Sequence, residues 1–120
     1  MKENLILKKS FNFSLRILKT FQLLRRNKVE RDICVQLLNC GTSIGANVEE
    51  AVGAVSRKDF RCKLQIAYKE ARETKYWLRL FMETQLLEKR LADSLLDDCE
   101  EILKILGSIL RTLKPDTVNS

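Results

Sequence analysis

Four cysteines and a set of helix-flanking carboxylates are the first side chains to test for chemistry, and one absence limits both. The chain of 120 residues contains no histidine. Cys34, Cys40, Cys62 and Cys99 show no CxxC spacing, so neither a zinc pattern nor a thiol–imidazole pair is available. They read as reduced, mostly buried thiols that behave as small hydrophobes. Glu50, Glu70 and Glu73 each directly precede a residue of an apolar stripe (Ala51, Ala71 and Thr74), which places carboxylates beside the core on two helices. A di-iron bundle would use such carboxylates, but it also needs Glu-x-x-His pairs. Without histidine there is no general base poised near neutral pH. No nucleophile elbow or metal motif occurs either. The expectation is a non-enzyme with no catalytic residue, no metal and no cofactor.

A glycine-containing run, "GTSIG" at Gly41–Gly45, raises the question of a phosphate cradle. It has neither the GxxxxGK[ST] nor the GxGxxG spacing, and no strand pattern precedes it. Glycines inside a helix also have their N–H groups engaged in the ladder. The alternative is a helix made thin for packing, with Gly41, Ser43, Gly45, Ala46 and Asn47 as the helix-packing residues.

The remaining chemistry is electrostatic. Twenty-two basic residues against sixteen acidic ones leave a net charge of +6. On the first helical segment Lys9, Arg16, Lys19 and Arg26 recur at helical spacing. On the third, Lys58, Arg61, Arg72, Lys75 and Arg79 form a three/four stripe that also holds Gln65 and Tyr68. A basic row with an aromatic residue suits a phosphate backbone, read by charge and shape. A competing use exists for the same charges. Residues 1–28 carry eight basic and one acidic residue, residues 29–54 one and four, residues 55–87 eight and four, and residues 88–120 five and seven. The sign therefore alternates along the chain, and adjacent helices of a closed ring would attract each other.

The elements that must position these groups are helical. One proline, Pro115, and four glycines leave little punctuation for turns. The second apolar stripe, Cys34, Leu37, Gly41, Ile44, Val48, Ala51 and Val55, alternates spacings of three and four. So do the third (Phe60, Leu64, Ala67, Ala71, Thr74, Leu78, Phe81) and the fourth (Ala92, Leu95, Cys99, Ile102, Leu106, Ile109, Leu113). The first is less regular: Phe11, Leu15 and Leu18 share a face that Ile17, Phe21 and Leu24 widen. Ser56 fits as an N-cap with Asp59 three residues on. These patterns predict helices over about 5–26, 29–55, 57–84 and 88–114, with residues 1–114 as one domain and 115–120 as a frayed tail. The fold class is all-α, an antiparallel up-down four-helix bundle. Trp77 and Leu80 beside the third stripe, and Leu96, Leu103 and Leu110 beside the fourth, add apolar surface that suits an oligomer interface. No apolar run is long enough to span a membrane, and the N-terminal segment lacks a signal-peptide core, so a cytoplasmic, non-membrane protein is expected.

Two segments resemble a known family. "LLNCGTSIGANVEEAVGA" followed by "SRKDFRCKLQIAYKEARETKYWLRL" is similar to the four-helix-bundle proteins encoded within intervening sequences of bacterial 23S ribosomal RNA genes. The resemblance rests on Gly41–Asn47, Glu49–Ala51, Asp59–Phe60, Lys69–Ala71 and Glu73–Leu78. Cys40 departs from it where a basic or polar residue is commoner, and Tyr68 where leucine is frequent. The family is in turn similar to the accessory protein of diversity-generating retroelements, which partners a reverse transcriptase and binds nucleic acid through a basic surface. The resemblance implies an up-down bundle, a ring-shaped homo-oligomer with a pentamer as the expected form, and no catalytic residues. Charge and resemblance together lead to one expectation: an oligomeric bundle that binds nucleic acid, RNA in preference to DNA, through its first and third helices. The alternative is an adaptor for a protein partner such as a reverse transcriptase.

Overall fold

The computed structural model describes residues 2–113, apart from the side chain of Glu3. It contains four helices: α1 Lys2–Arg26, α2 Arg31–Val52, α3 Arg57–Glu83 and α4 Lys89–Thr112. Each packs on its neighbours in sequence and α4 closes on α1, while the backbones of the diagonal pairs do not approach each other. The result is an antiparallel up-down bundle measuring 52 × 25 × 23 Å. The expected tail, 115–120, and Pro115 lie outside the described residues.

The helix ends follow local chemistry. Ser56 caps α3, its Oγ accepting a hydrogen bond from the Asp59 N–H at 3.0 Å. This satisfies one of the free donors of the first turn. The turns after α1 and α3 each carry a residue in left-handed backbone, Lys28 (φ 63°) and Gln85 (φ 62°). After α1, Lys28 N–H donates to Arg25 O and Val29 N–H to Leu24 O. After α3, Gln85 N–H donates to Met82 O and Leu86 N–H to Phe81 O. Both are Schellman caps, and in the first the buried Val29 lies against the core end of the helix as that motif favours. The second helix ends three residues short of the expected bound. Gly53 is its C-cap, and Val55, assigned to the core stripe on spacing, is 94% exposed.

The apolar stripes of α2, α3 and α4 form the core as expected, from Cys34 to Ala51, Leu64 to Phe81 and Ala92 to Ile109, with Phe60 and Leu113 partly buried. The face of α1 is a correction. Ile6, Phe13, Ile17 and Leu24 enter the core with Ser10 and Thr20. Phe11, Leu15 and Leu18 are 58%, 46% and 45% exposed. Two apolar rows coexist on this helix, and spacing alone does not choose between them. The choice is made by α2, whose Gly41 receives Ile17 and so fixes the rotation of α1.

Candidate nucleic-acid interface

Much of the basic charge is committed to holding the bundle together. Across the α1–α4 seam Lys9 pairs with Glu101 at 3.0 Å and Arg16 with Asp98 at 2.5 Å. Across α2–α3, Lys63 pairs with Glu50 at 2.9 Å, and across α3–α4, Lys75 pairs with Glu100 at 2.7 Å. Three of the four seams thus realise the alternation of sign. Arg61 is engaged differently: its Nε donates to the carbonyl of Leu113 at 2.6 Å and its Nη1 to Gln65 Oε1 at 2.9 Å.

Among the described residues no ion pair crosses the α1–α2 seam, and the small-residue run explains why. A Cβ on Gly41 would stand 2.8 Å from Ile17 Cγ2, and one on Gly45 would stand 3.0 Å from Ser14 Oγ and 3.2 Å from the Ser10 carbonyl oxygen. Side chain and backbone of α1 therefore fill the space that a side chain of α2 would need. The other three residues of the run serve elsewhere. Ser43 and Asn47 are half-buried and bonded to each other, Asn47 Nδ2 donating to Ser43 O at 2.8 Å and to Ser43 Oγ at 3.2 Å. Ala46 is exposed and takes no part in the close approach.

Of the nine basic residues singled out from sequence, Lys9, Arg16 and Lys75 are ion-paired and Arg61 is bonded to the end of α4. Lys19, Arg26, Lys58, Arg72 and Arg79 remain exposed, with no carboxylate in contact among the described residues. The two groups do not converge. Lys19 and Arg26 belong to α1, diagonally across the bundle from α3. What α3 meets instead is α4, which contributes two exposed bases that the sequence reading missed, Lys104 and Arg111. Gly107 lies between them, close enough that a Cβ would stand 3.4 Å from Arg111 Nη1 and 3.8 Å from Tyr68 Cε1. Their spacing of seven on the α4 face turned towards α3 was the signal available in the sequence. The pairing of Lys75 with Glu100 and of Tyr68 with Gly107 sets the register: Lys104 is level with Arg72, and Arg111 lies between Arg61 and Tyr68. The Glu100 carboxyl is held below the usual carboxylate range, first by its hydrogen bond from Lys75 and then by the charges of Lys75, Lys104 and Arg72. The α3–α4 seam is therefore a row of four cations, Arg61, Arg72, Lys104 and Arg111, with a half-buried tyrosine between them. Glu100 and Asp97 close it towards the Arg79 end.

The remaining candidate groups have structural surroundings. Burial pushes the Cys40 thiol up to about 11 and the Cys99 thiol up to about 12, and it raises Cys34 as well. Thiols so protonated are poor nucleophiles. Among the described residues no cluster of metal-ligating side chains gathers. The apolar residues expected at an oligomer interface lie mostly within the subunit. Leu103 and Leu110 are buried, and Trp77 and Leu96 are half-buried against the core. Only Leu80 is exposed, at 38%. The sequence overestimated the free surface here because the core face of α4 is wide. No helix among the described residues is long and apolar enough to cross a membrane.

No curated protein matches the chain. A crystal structure of a protein of unknown function from the S23 ribosomal protein family of Bacteroides thetaiotaomicron is 43% identical. It superposes with a TM-score of 0.89 over 92% of this chain and 99% of its own. The family model for the 23S rRNA-intervening sequence protein matches residues 2–108. Carrying that match over nearly the whole bundle, the chain belongs to the 23S rRNA-intervening sequence protein family.

Proposed function

We propose that this protein is a non-enzymatic helical bundle that binds structured RNA through the α3–α4 seam. The observation that supports this is the row formed by Arg61, Arg72, Lys104 and Arg111 around Tyr68, where cations from two helices outnumber the carboxylates and Arg72, Lys104 and Arg111 remain exposed. From Arg61 to Arg72 the row rises about 16 Å along α3, long enough to follow several phosphates of one strand. Tyr68 adds a ring of the kind on which bases stack. The family name makes RNA the ligand to test first. Relative to the expectation from sequence, the site moves away from α1, where Lys9 and Arg16 bind α4, and gains two residues from α4.

The test is affinity for a structured RNA, with a DNA duplex of equal length, as salt is raised from about 50 to 200 mM. Tight binding with a steep salt slope is expected, weaker for the DNA. Replacing Arg72 and Lys104 together by glutamate should lower affinity at least about tenfold and reduce the slope by about two. Reversing Lys19 and Arg26 should leave both unchanged. Wild-type affinity in the Arg72/Lys104 variant would remove the seam from consideration. Absence of any RNA binding at the lowest salt would leave the adaptor reading, which the exposed row on α1 favours.

A further inference from the structure

The α3–α4 seam is favourable to a phosphate chain over only part of its length. Beyond Arg72 and Lys104 it reaches Glu100 and the exposed Asp97, whose charges repel phosphate. A strand that starts beside Arg61 and Arg111 therefore has to leave the seam, and the surface of α3 provides a course. Tyr68, Arg72 and Tyr76 are spaced by four, so each stands about 6 Å further along the helix and about 40° further round it. Tyr68 is half-buried and lies close to Gly107 of α4, whereas Arg72 and Tyr76 are exposed. The ridge thus turns out of the seam, away from the α4 carboxylates and onto the outer face of α3.

The ring at the end of that ridge is open but held in place. Tyr76 is 59% exposed. Its ring meets the Trp77 ring edge to face, with centroids 5.4 Å apart and planes at 81°. Trp77 in turn packs on the buried Phe81 at 6.1 Å, and its Nε1 donates to Glu73 Oε2 at 3.3 Å. A T-shaped contact covers at most one face of a ring, so at least one face of Tyr76 stays free for a flat ligand. A ring placed in advance loses little freedom when that ligand arrives. Around it on α3 are Lys69, Arg72 and Arg79, all exposed and none ion-paired among the described residues. The carboxylate one turn away, Glu73, is the one that bonds the Trp77 indole.

We infer that Tyr76 stacks an unpaired base of the bound RNA while Arg72 and Arg79 hold the phosphates on either side of it, so that the ligand is an RNA with a single-stranded segment next to its paired part. The inference rests on the α3–α4 seam being the RNA site and deepens that reading by naming the class of RNA and the residue that selects it. Bases inside an A-form duplex have both faces covered by their neighbours, and only an unpaired base can be splayed out onto a side-chain ring. Arg72 and Arg79 are about 10 Å apart along α3, with Tyr76 between them, so their long side chains can reach the phosphates that flank one nucleotide. An isolated exposed tyrosine would need no explanation. A tyrosine braced by a tryptophan, ringed by unpaired cations and joined to the basic row by a ridge fits a nucleotide, which brings a flat ring and an anion together. The stacking is tolerant of sequence, because every base has a face to offer.

The experiment compares two probes across a salt series, a stem-loop RNA with an unpaired loop and a blunt RNA duplex of equal length, for the wild type, Tyr76→Leu and Tyr76→Phe. The wild type should bind the stem-loop more tightly than the duplex. Tyr76→Leu should lower affinity for the stem-loop at least about fivefold, leave the duplex affinity unchanged, and keep the wild-type salt slope, because stacking releases no counterions. Tyr76→Phe keeps the ring and should bind as the wild type does. Far-UV helicity should be the same in all three, since Tyr76 lies outside the core. Equal affinity of the wild type for the two probes, wild-type binding of the stem-loop by Tyr76→Leu, or an equal loss on both probes would overturn the inference. With any of these, a steep salt slope that Arg72→Glu with Lys104→Glu reduces would still leave the seam as the RNA site. A wild type that binds neither probe at low salt would overturn both.

Discussion

At the scale of the residue, the contact between Gly41 and Ile17 leaves no room for a side chain at Gly41. A methyl group at Gly41 would stand 2.8 Å from Ile17 Cγ2 and 2.9 Å from Ile17 Cγ1. A β-branched side chain in a helix has little freedom to turn away. Gly41→Ala gains about 1 kcal/mol of helix propensity, while overpacking costs about 1–3 kcal/mol, so a net loss of stability is expected in urea unfolding. Adding Ile17→Ala should make the pair less destabilised than the sum of the singles, because the clash is shared. Additive effects would show that the two residues do not compete for one space. Glu70 offers a second residue-scale test. Burial, then the charge of Glu73, raises its carboxyl above the usual range, and Lys69 only partly opposes this. The folded state therefore binds this proton more readily than the unfolded chain. Its contribution to stability is complete below the unfolded pKa and is lost as pH rises through the folded value. Glu70→Gln should be more stable than the wild type at pH 7, with the difference shrinking as the pH falls through that window. Equal stability at both ends would mean that the carboxylate is well solvated in the native protein.

At the scale of the element, the helices end by different means. Ser56 was recognisable as a cap because side-chain capping depends on residue type at a fixed offset. The Schellman turns were not, because the residues in left-handed backbone are Lys28 and Gln85 where glycine is the usual occupant. These turns pay a conformational cost that glycine would not. Lys28→Gly and Gln85→Gly should each stabilise the protein by about 1 kcal/mol, read as a rise in the urea midpoint with no change in slope. A loss of stability in both variants would indicate that the side chains themselves hold the turns. The α1 helix shows the opposite limit of pattern reading. Its apolar residues form two rows, and the sequence marks both as buried candidates. Only the glycines of α2 decide which row turns inward.

At the scale of the whole molecule, charge has three destinations. Lys9, Arg16, Lys63 and Lys75 join neighbouring helices. Arg72, Lys104 and Arg111 line the α3–α4 seam with Arg61. Other bases of α1, among them Lys8, Lys19, Arg25 and Arg26, and the α2 acids Asp32 and Glu49 are exposed, and α1 also carries the exposed Phe11, Leu15 and Leu18. These surfaces lie on different sides of the bundle, so the charge of one can be altered without changing the other. Repetition of the seam around an assembly would multiply phosphate contacts without any new residue.

The sequence by itself determined the helix count, the up-down order and three of the four core stripes. Each of these depends on periodicity along one chain segment. It also pointed to packing at Gly41 and Gly45, since Gly41 holds a place in an unbroken stripe, which excludes a loop, and Gly45 lies one turn further along the same helix. Only the tertiary structure decided which face of α1 is buried, which bases are neutralised, and which helix completes the basic row begun on α3. Those outcomes depend on what lies across a seam. Lys9 and Lys19 look alike in the sequence, yet one meets Glu101 and the other meets solvent. The difference arises from the rotation of α1 set by one glycine on α2, and such a rotation is a property of two helices together.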